Sequence, residues 1–407
     1  MADAPDQRWA VKPGERSEPR VERDGTVWRI RSLAVARQVL RARDRTTQAG
    51  FTSEKIPKGY LKHHPILLSD GPLHDEQRSK VARFLAPTVV AERYTGRMEA
   101  CADRLLATAD AEGSCRLDDL ALLYSVEVTA EVVGLTNSPV PEMARRLVTF
   151  FNQPPFDIAR ADLGRTASQW ASAAVNGLVP IVRFYLADAR PAIRARRREP
   201  KRDVISHLIA EGYNNADILV ECVTYGTAGM VTTREFISMA CCHLLRDRRL
   251  QERYLAAAQA ERLAILNEII RLEPVVGHLY RRAQQPVEVA EGDTTWTIDP
   301  GHLIDVCVRQ ANADPQALGE EPLGLCPARP LPSGVNAAGL SFGDGAHKCP
   351  GQPLALLEAD VLLTRLMARR PRLVGEPRLG WDNLIEGYWL RDVELSFEAP
   401  GGDSIPR

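Results

Sequence analysis

The chain is poor in cysteine, balanced in charge and free of long apolar runs. Eight cysteines in 407 residues, at 101, 115, 222, 241, 242, 307, 326 and 349, show no CxxC spacing. That is far below the roughly 8–10% of a disulfide scaffold, so a disulfide framework is excluded and a reducing compartment fits. Lys plus Arg is 52 and Asp plus Glu is 53, a net charge of -1. No global excess draws the chain to nucleic acid or to an anionic membrane, and neither is expected as a partner. The first residues, Met-Ala-Asp-Ala-Pro-Asp-Gln-Arg, lack the apolar core of a signal peptide. The best apolar stretch, Ile218 to Val231, contains Glu221 and falls short of a membrane span. A cytoplasmic protein is expected. There is no internal repeat and no low-complexity linker.

What is present is an ordinary globular balance, 44% apolar and 26% charged. Residues 1–20, rich in Pro, Arg and Glu, read as a loose arm, and 21–407 as a single domain. Asp24-Gly25 between alternating residues predicts a hairpin over 21–30. Leu33, Val35, Ala36, Val39 and Leu40 form a helical stripe, and Asp70-Gly71-Pro72 starts another helix. Helices are expected near 94–110, 120–134, 141–151, 166–190 and 202–211. A long one over 216–246, about 46 Å at 1.5 Å per residue, precedes others near 248–258 and 261–273. Strands follow near 286–290, 295–299 and 303–308, then an irregular stretch over 313–341, a helix over 353–369 and short strands near 388–397. The fold class is mainly α with a small β subregion.

Phe342-Gly343-Asp344-Gly345-Ala346-His347-Lys348-Cys349-Pro350-Gly351 is the most informative segment. Its three glycines imply positive φ or close approach to a flat object. Pro353 and the residues after it open a helix, so Cys349 precedes a helix N-terminus where amides and dipole favour a thiolate. Such a sulfur could be a nucleophile, a redox thiol or a metal ligand, or a buried cysteine in a turn. A nucleophile would need a base better placed than His347. Ligation of a large planar cofactor accounts for glycines, thiolate and basic residues together.

The pattern F-x-x-G-x-H-x-C-x-G, in Phe342, Gly343, His347, Cys349 and Gly351 with their neighbours, resembles that of the cytochrome P-450 superfamily, the haem-thiolate monooxygenases. The resemblance spans nearly the whole chain. It implies a single domain with haem b, iron protoporphyrin IX, between the long central helix and the cysteine-loop helix. Cys349 would be the axial iron ligand, promoting O–O cleavage, and His347 would meet a haem propionate. Glu268 and Arg271 match the family's E-x-x-R, and Arg329 in Cys326-Pro327-Ala328-Arg329-Pro330 its partner arginine. This set would lock the irregular segment, a structural role. Alone, E-x-x-R is a surface ion pair of little worth. Arg281 matches the propionate-binding arginine, and Ala311-Asn312-Ala313-Asp314-Pro315 is close to the family's A-N-R-D-P. His74 and Arg78, i and i+4 on one helix, match two further propionate contacts; in isolation they would be two solvated side chains.

Gly226, Ala228 and Gly229 lie inside the long helix, where each glycine costs about 1 kcal/mol against alanine. Either tight helix packing or passage over a cofactor would justify them. In the resembled family this segment reads [AG]-G-x-[DE]-T-[TS]; Ala228, Gly229, Thr232 and Thr233 match, which implies cofactor contact for the first two and catalytic hydroxyls for the others. Val231 stands where the acid belongs. Water with Thr232, Glu235 or a substrate group could deliver protons, or the chemistry could need fewer of them.

By position in the resembled fold, the loop before Asp70, Phe150, Phe151, Asn152, Gln153, Phe156, Val275, Val276, His278 and Trp389 would line a largely apolar substrate pocket. His278 reads as a pocket or core histidine rather than a haem ligand. The function expected is dioxygen-dependent oxidation of a small, largely apolar molecule in natural-product metabolism, by a monomer. No flavin or nicotinamide module fits in the chain, so electrons would come from NAD(P)H through a ferredoxin or flavodoxin and its reductase. The alternatives are oxidative C–C or C–N coupling without oxygen insertion, and a non-catalytic haem-binding sensor or carrier.

Overall fold

The computed structural model describes residues 6–50, 63–160 and 162–397. Residues 1–5 of the expected arm, and 51–62 of the loop ahead of Asp70, lie outside the described residues.

Local chemistry sets the helix ends. Ser32 caps Leu33–Arg41 by accepting from the Val35 amide at 3.2 Å. Asn214 Oδ1 accepts from the Ala216 and Asp217 amides at 2.8 and 3.0 Å at the start of Asn215–Tyr225. Gly113 and Gly134, at φ 69° and 98°, end Pro87–Glu112 and Leu117–Val133. Gly71–Leu85 has Pro72 in its first turn, yet Asp70 makes no capping bond there. Its carboxylate accepts instead from the Gln48 amide and meets His347. A cap has been diverted to tie three segments together.

The main core joins Pro87–Glu112, Leu117–Val133, Thr232–Arg246, Gln259–Leu272 and Gln352–Met367, which pack on one another through buried aliphatic side chains. A smaller core lies between Leu33–Arg41 and a five-stranded sheet. The sheet runs Val21–Asp24, Val27–Ile30, Leu303–Cys307, His278–Ala283, Thr46–Ala49, with one parallel pair, Val27–Ile30 on Leu303–Cys307. Thr46–Ala49 and His278–Ala283 escape the sequence reading, because Gln48, Arg281 and Arg282 break the apolar alternation that marks a strand.

The long helix is not one regular helix. Asn215–Tyr225 passes through a π-helical segment, Gly226–Val231, into Thr232–Arg246. The helix expected over 166–190 instead continues to Arg198 through a second π turn, Tyr185–Ala189. Among the described residues this element, Ala167–Arg198, and not the 218–231 stretch, is the one long and apolar enough to cross a membrane by length and composition. Leu178 and Val175 on it are exposed to 63% and 59%.

The expected loose arm is irregular but fastened down over its described part. The Trp9 and Ala10 amides donate to the buried Glu273 carboxylate. Arg309 donates to the Ala10 carbonyl and, at 2.8 Å, to Glu15 Oε1. Lys12 pairs with Glu386 at 2.8 Å. A fully buried carboxylate requires donors, and the arm's backbone supplies them.

Candidate active site

The cysteine loop is anchored by a residue outside the recognised pattern. Asp344 accepts from the Gly345 amide at 2.7 Å and from Arg37 Nε and Arg41 Nε at 3.0 and 3.1 Å, clamping the loop to Leu33–Arg41. At Gly345, φ 68°, a Cβ would lie 2.2 Å from the Leu40 carbonyl oxygen. The close approach that demands glycine here is therefore to a helix backbone. The Cys349 amide donates to the Phe342 carbonyl at 2.7 Å, closing the loop just before Gln352–Met367. The Cys349 sulfur faces the Gly351 and Gln352 amides, with Arg78 and Lys348 nearby. Cys349 has accessible surface, yet burial raises its thiol pKa against the opposing pull of those amides and cations. Both follow when the sulfur opens onto an interior cleft rather than bulk water.

Four basic side chains converge beside it. The His74 and His347 rings stand 4.1 Å apart, and His347 Nε2 is 3.0 Å from Asp70 Oδ1. Arg78 donates to the Lys348 carbonyl at 2.5 Å. Arg281 donates to Gln48 Oε1 at 2.6 Å and to the Tyr280 carbonyl at 2.8 Å. Burial, with repulsion from His347 and Arg78, holds His74 down to about 4. Burial lowers Arg281 to about 10 and shifts Arg78 the same way. Asp75, beside His74, is engaged by Arg43. Buried guanidinium groups hydrogen-bonded to neutral oxygens and lowered by desolvation suit a ligand that brings its own anions. A cofactor with two carboxylates and an iron open to a sulfur ligand fits this donor set.

Behind the loop, the three residues expected to lock it do meet. Arg271, fully buried, gives Glu268 two bonds of 2.7 Å, and Arg329 Nε reaches Glu268 Oε1 at 3.2 Å. The arginines then donate to carbonyls of Asn312, Pro322, Gly324, Leu318 and Glu321. Asn312, quoted above only within a motif, extends the network. It donates to the Arg271 carbonyl at 3.0 Å and to Ser341 Oγ at 2.9 Å, and accepts from the Leu340 amide at 2.7 Å. The irregular run up to Phe342 is thus held by side-chain bonds instead of secondary structure.

On the long helix, a Cβ at Gly226 would come 2.7 Å from Leu147 and one at Gly229 3.4 Å from Thr129. Leu147 approaches Gly226 too closely for a side chain there, while the contact at Gly229 is an ordinary one. Ala228, between them, is exposed, and Thr232 is half-buried. Thr232 Oγ1 donates to the Ala228 carbonyl at 2.5 Å, and Thr233 Oγ1 to Gly229 at 2.6 Å. These bonds occupy carbonyls that the π segment leaves out of the ordinary ladder. Val231 is buried and apolar. Glu235, weighed as a substitute acid, is consumed elsewhere: it accepts from Arg391 at 2.8 Å, from Arg234 at 2.9 Å and from the Leu390 amide at 3.0 Å.

The residues expected around a substrate each have a defined place in the fold. Phe150 and Phe151 pack on the main core, Phe150 edge-on to Phe184 at 6.2 Å. Asn152 lines an outer groove with Arg145 and Val179, its carbonyl accepting from Asn176. Gln153 turns back to the Phe150 carbonyl, and Phe156 lies under Arg165. Val275 is core, while Val276 packs against that core half-buried. Trp389 covers Gly380 beneath Arg391. His278 meets Asp305 on the sheet, with Nδ1 and Oδ1 2.7 Å apart. These residues come from three separate parts of the chain, 150–156, 275–278 and 389.

The cytochrome P450 family model matches residues 263–369, from the Glu268–Arg271 helix through the cysteine-loop helix. Erythromycin C-12 hydroxylase of Saccharopolyspora erythraea is 29% identical over 85% of this chain and 83% of its own length. Cytochrome P450 130 of Mycobacterium tuberculosis is 28% identical over 82% and 78%. Among solved structures, a mutant of P450 EryK in complex with erythromycin B superposes with a TM-score of 0.75 at 23% identity, covering 94% of each chain. With the cysteine loop, the Glu268–Arg271–Arg329 network and the π-interrupted helix in one arrangement, the chain has the fold of the solved P450 structures and carries the cytochrome P450 family match over residues 263–369.

Proposed function

We propose that the protein is a haem-thiolate monooxygenase that oxidises a small, largely apolar natural product, drawing electrons from a separate ferredoxin or flavodoxin system. The observation that carries this reading is the cleft-facing Cys349 sulfur, set on the Gly351 and Gln352 amides beside buried, desolvated basic side chains. Haem held there supplies dioxygen activation. Cys349 ligates the iron, its amide neighbours and Lys348 favouring the thiolate. Arg78, Arg281, His74 and His347 bind the propionates; the guanidinium forks suit carboxylates bidentately. Thr232 holds a proton at Oγ1, oriented by the Ala228 carbonyl. Erythromycin C-12 hydroxylase among the relatives supports a natural-product substrate.

The test is the spectrum of the purified protein, oxidised and then reduced under carbon monoxide. A strongly red-shifted Soret band that Cys349→Ser removes is expected. Absence of haem after expression with ample haem supply overturns the reading.

A second reading, oxidative coupling without oxygen insertion, is favoured by Val231 and by the engagement of Glu235 with Arg391. Val231 carries no ionisable proton, and the Glu235 carboxylate is held by Arg391, Arg234 and the Leu390 amide. Product mass separates the two: a gain of one oxygen for hydroxylation, a loss of two hydrogens for coupling.

A further inference from the structure

The sheet places three dissimilar ligand types on one of its faces, away from the cysteine loop. Asp305 and Cys307 are i and i+2 on Leu303–Cys307, so their side chains share a face. His278 pairs directly with Cys307 across the antiparallel ladder, and Tyr280 pairs with Asp305. Register therefore brings an imidazole, a carboxylate and a thiol together. Their ligand atoms all lie within 4.8 Å of one another. Asp305 and Cys307 are buried, and His278 is half-buried, leaving one open side. Leu279 and Arg281, the alternate residues of the strand, point the other way: Leu279 lies by Gly343 and Arg281 in the basic cluster.

From this geometry we propose that His278, Asp305 and Cys307 form a binding site for a borderline-soft divalent cation of the zinc type, separate from the haem cleft. A neutral nitrogen, a carboxylate oxygen and a thiolate sulfur supply two negative charges, which balance a divalent ion, and three ligands leave the fourth tetrahedral position to water. The strand on the other side, Val27–Ile30, and the residue after it bring Arg29 and Arg31 toward this face. Arg29 donates to Asp24 at 3.1 Å, and Arg31 to Glu22 at 2.8 Å. Those carboxylates offset the arginines in part, and Arg29 also feels the Asp305 charge. Tyr280, stacked on His278 with ring centres 6.0 Å apart, walls the site. Binding releases the Cys307 thiol proton to solvent as the zinc–sulfur bond forms, so the ligand set is imidazole, carboxylate and thiolate.

The experiment is calorimetric titration of the haem-loaded, chelator-treated protein with zinc in two buffers of different ionisation heat. One zinc per chain, with proton release on binding, is expected. His278→Gln and Cys307→Ser should each weaken binding by on the order of tenfold or more while the Soret band stays in place. No stoichiometric binding, or one zinc retained unchanged by both variants, overturns the site and leaves a His278–Asp305 ion pair. Should a variant fail to fold, the zinc-edge absorption of the wild-type complex decides. One sulfur at about 2.3 Å with nitrogen and oxygen neighbours supports the proposal, and a shell of nitrogen and oxygen alone overturns it. Haem content is indifferent to either result, so the outcome is independent of the function proposed above.

Discussion

Two buried clusters of charge flank the cysteine loop, and they are built on opposite terms. Around Glu268 the two guanidinium groups of Arg271 and Arg329 share one carboxylate and spend their remaining donors on backbone carbonyls. Around His347 the basic groups of His74, Arg78 and Arg281 gather with Asp70 as the carboxylate hydrogen-bonded to the cluster, and burial lowers both arginines. The first cluster is complete within the chain and holds shape. The second carries a charge that the fold leaves to a partner, which is the mark of a binding site.

Three substitutions probe that difference. Glu268→Gln should do most damage, leaving two buried arginines uncompensated at a cost of about 3–5 kcal/mol, measured as the shift in urea unfolding. Arg281→Gln should invert the pattern. The haem-free protein keeps or gains stability, while haem affinity falls about tenfold, or about 1.4 kcal/mol, read by transfer of haem to an apo-globin acceptor. Equal losses in both states would make Arg281 merely structural. The smallest effect is pH-dependent. His74, held at about 4, binds its proton more readily in the unfolded chain, whose histidine titrates near 6.5. Folded haem-free protein therefore keeps the full His74 contribution above about 6.5 and loses it progressively as pH falls toward 4. His74→Gln should flatten that slope in urea midpoints, and haem loading should also reduce it, since propionates favour the imidazolium.

What could be read from the sequence was what is local. The cysteine loop, the E-x-x-R turn and the hairpin at Asp24-Gly25 are contiguous, and the structure places their residues side by side. Asp344 was passed over because its partners, Arg37 and Arg41, lie some three hundred positions earlier. Asn312 was seen as a letter in a motif and not as a joint between Arg271 and Leu340. His278 reads as a pocket or core histidine from its place in the chain, and only strand register shows that it shares a sheet face with Cys307 and Asp305. Glu235 looked available because sequence does not show Arg391.

The fastening of the arm bears on how the molecule comes to be made. Residues 9, 10, 12 and 15 find their partners at Glu273, Arg309 and Glu386. At roughly 5–20 residues per second of synthesis, these residues wait some tens of seconds for partners that lie far along the chain. Docking of the arm is then a late step, and it reports that the carboxyl-terminal part of the chain is already in place. A fluorophore beside Trp9 would serve as a clock for completed folding.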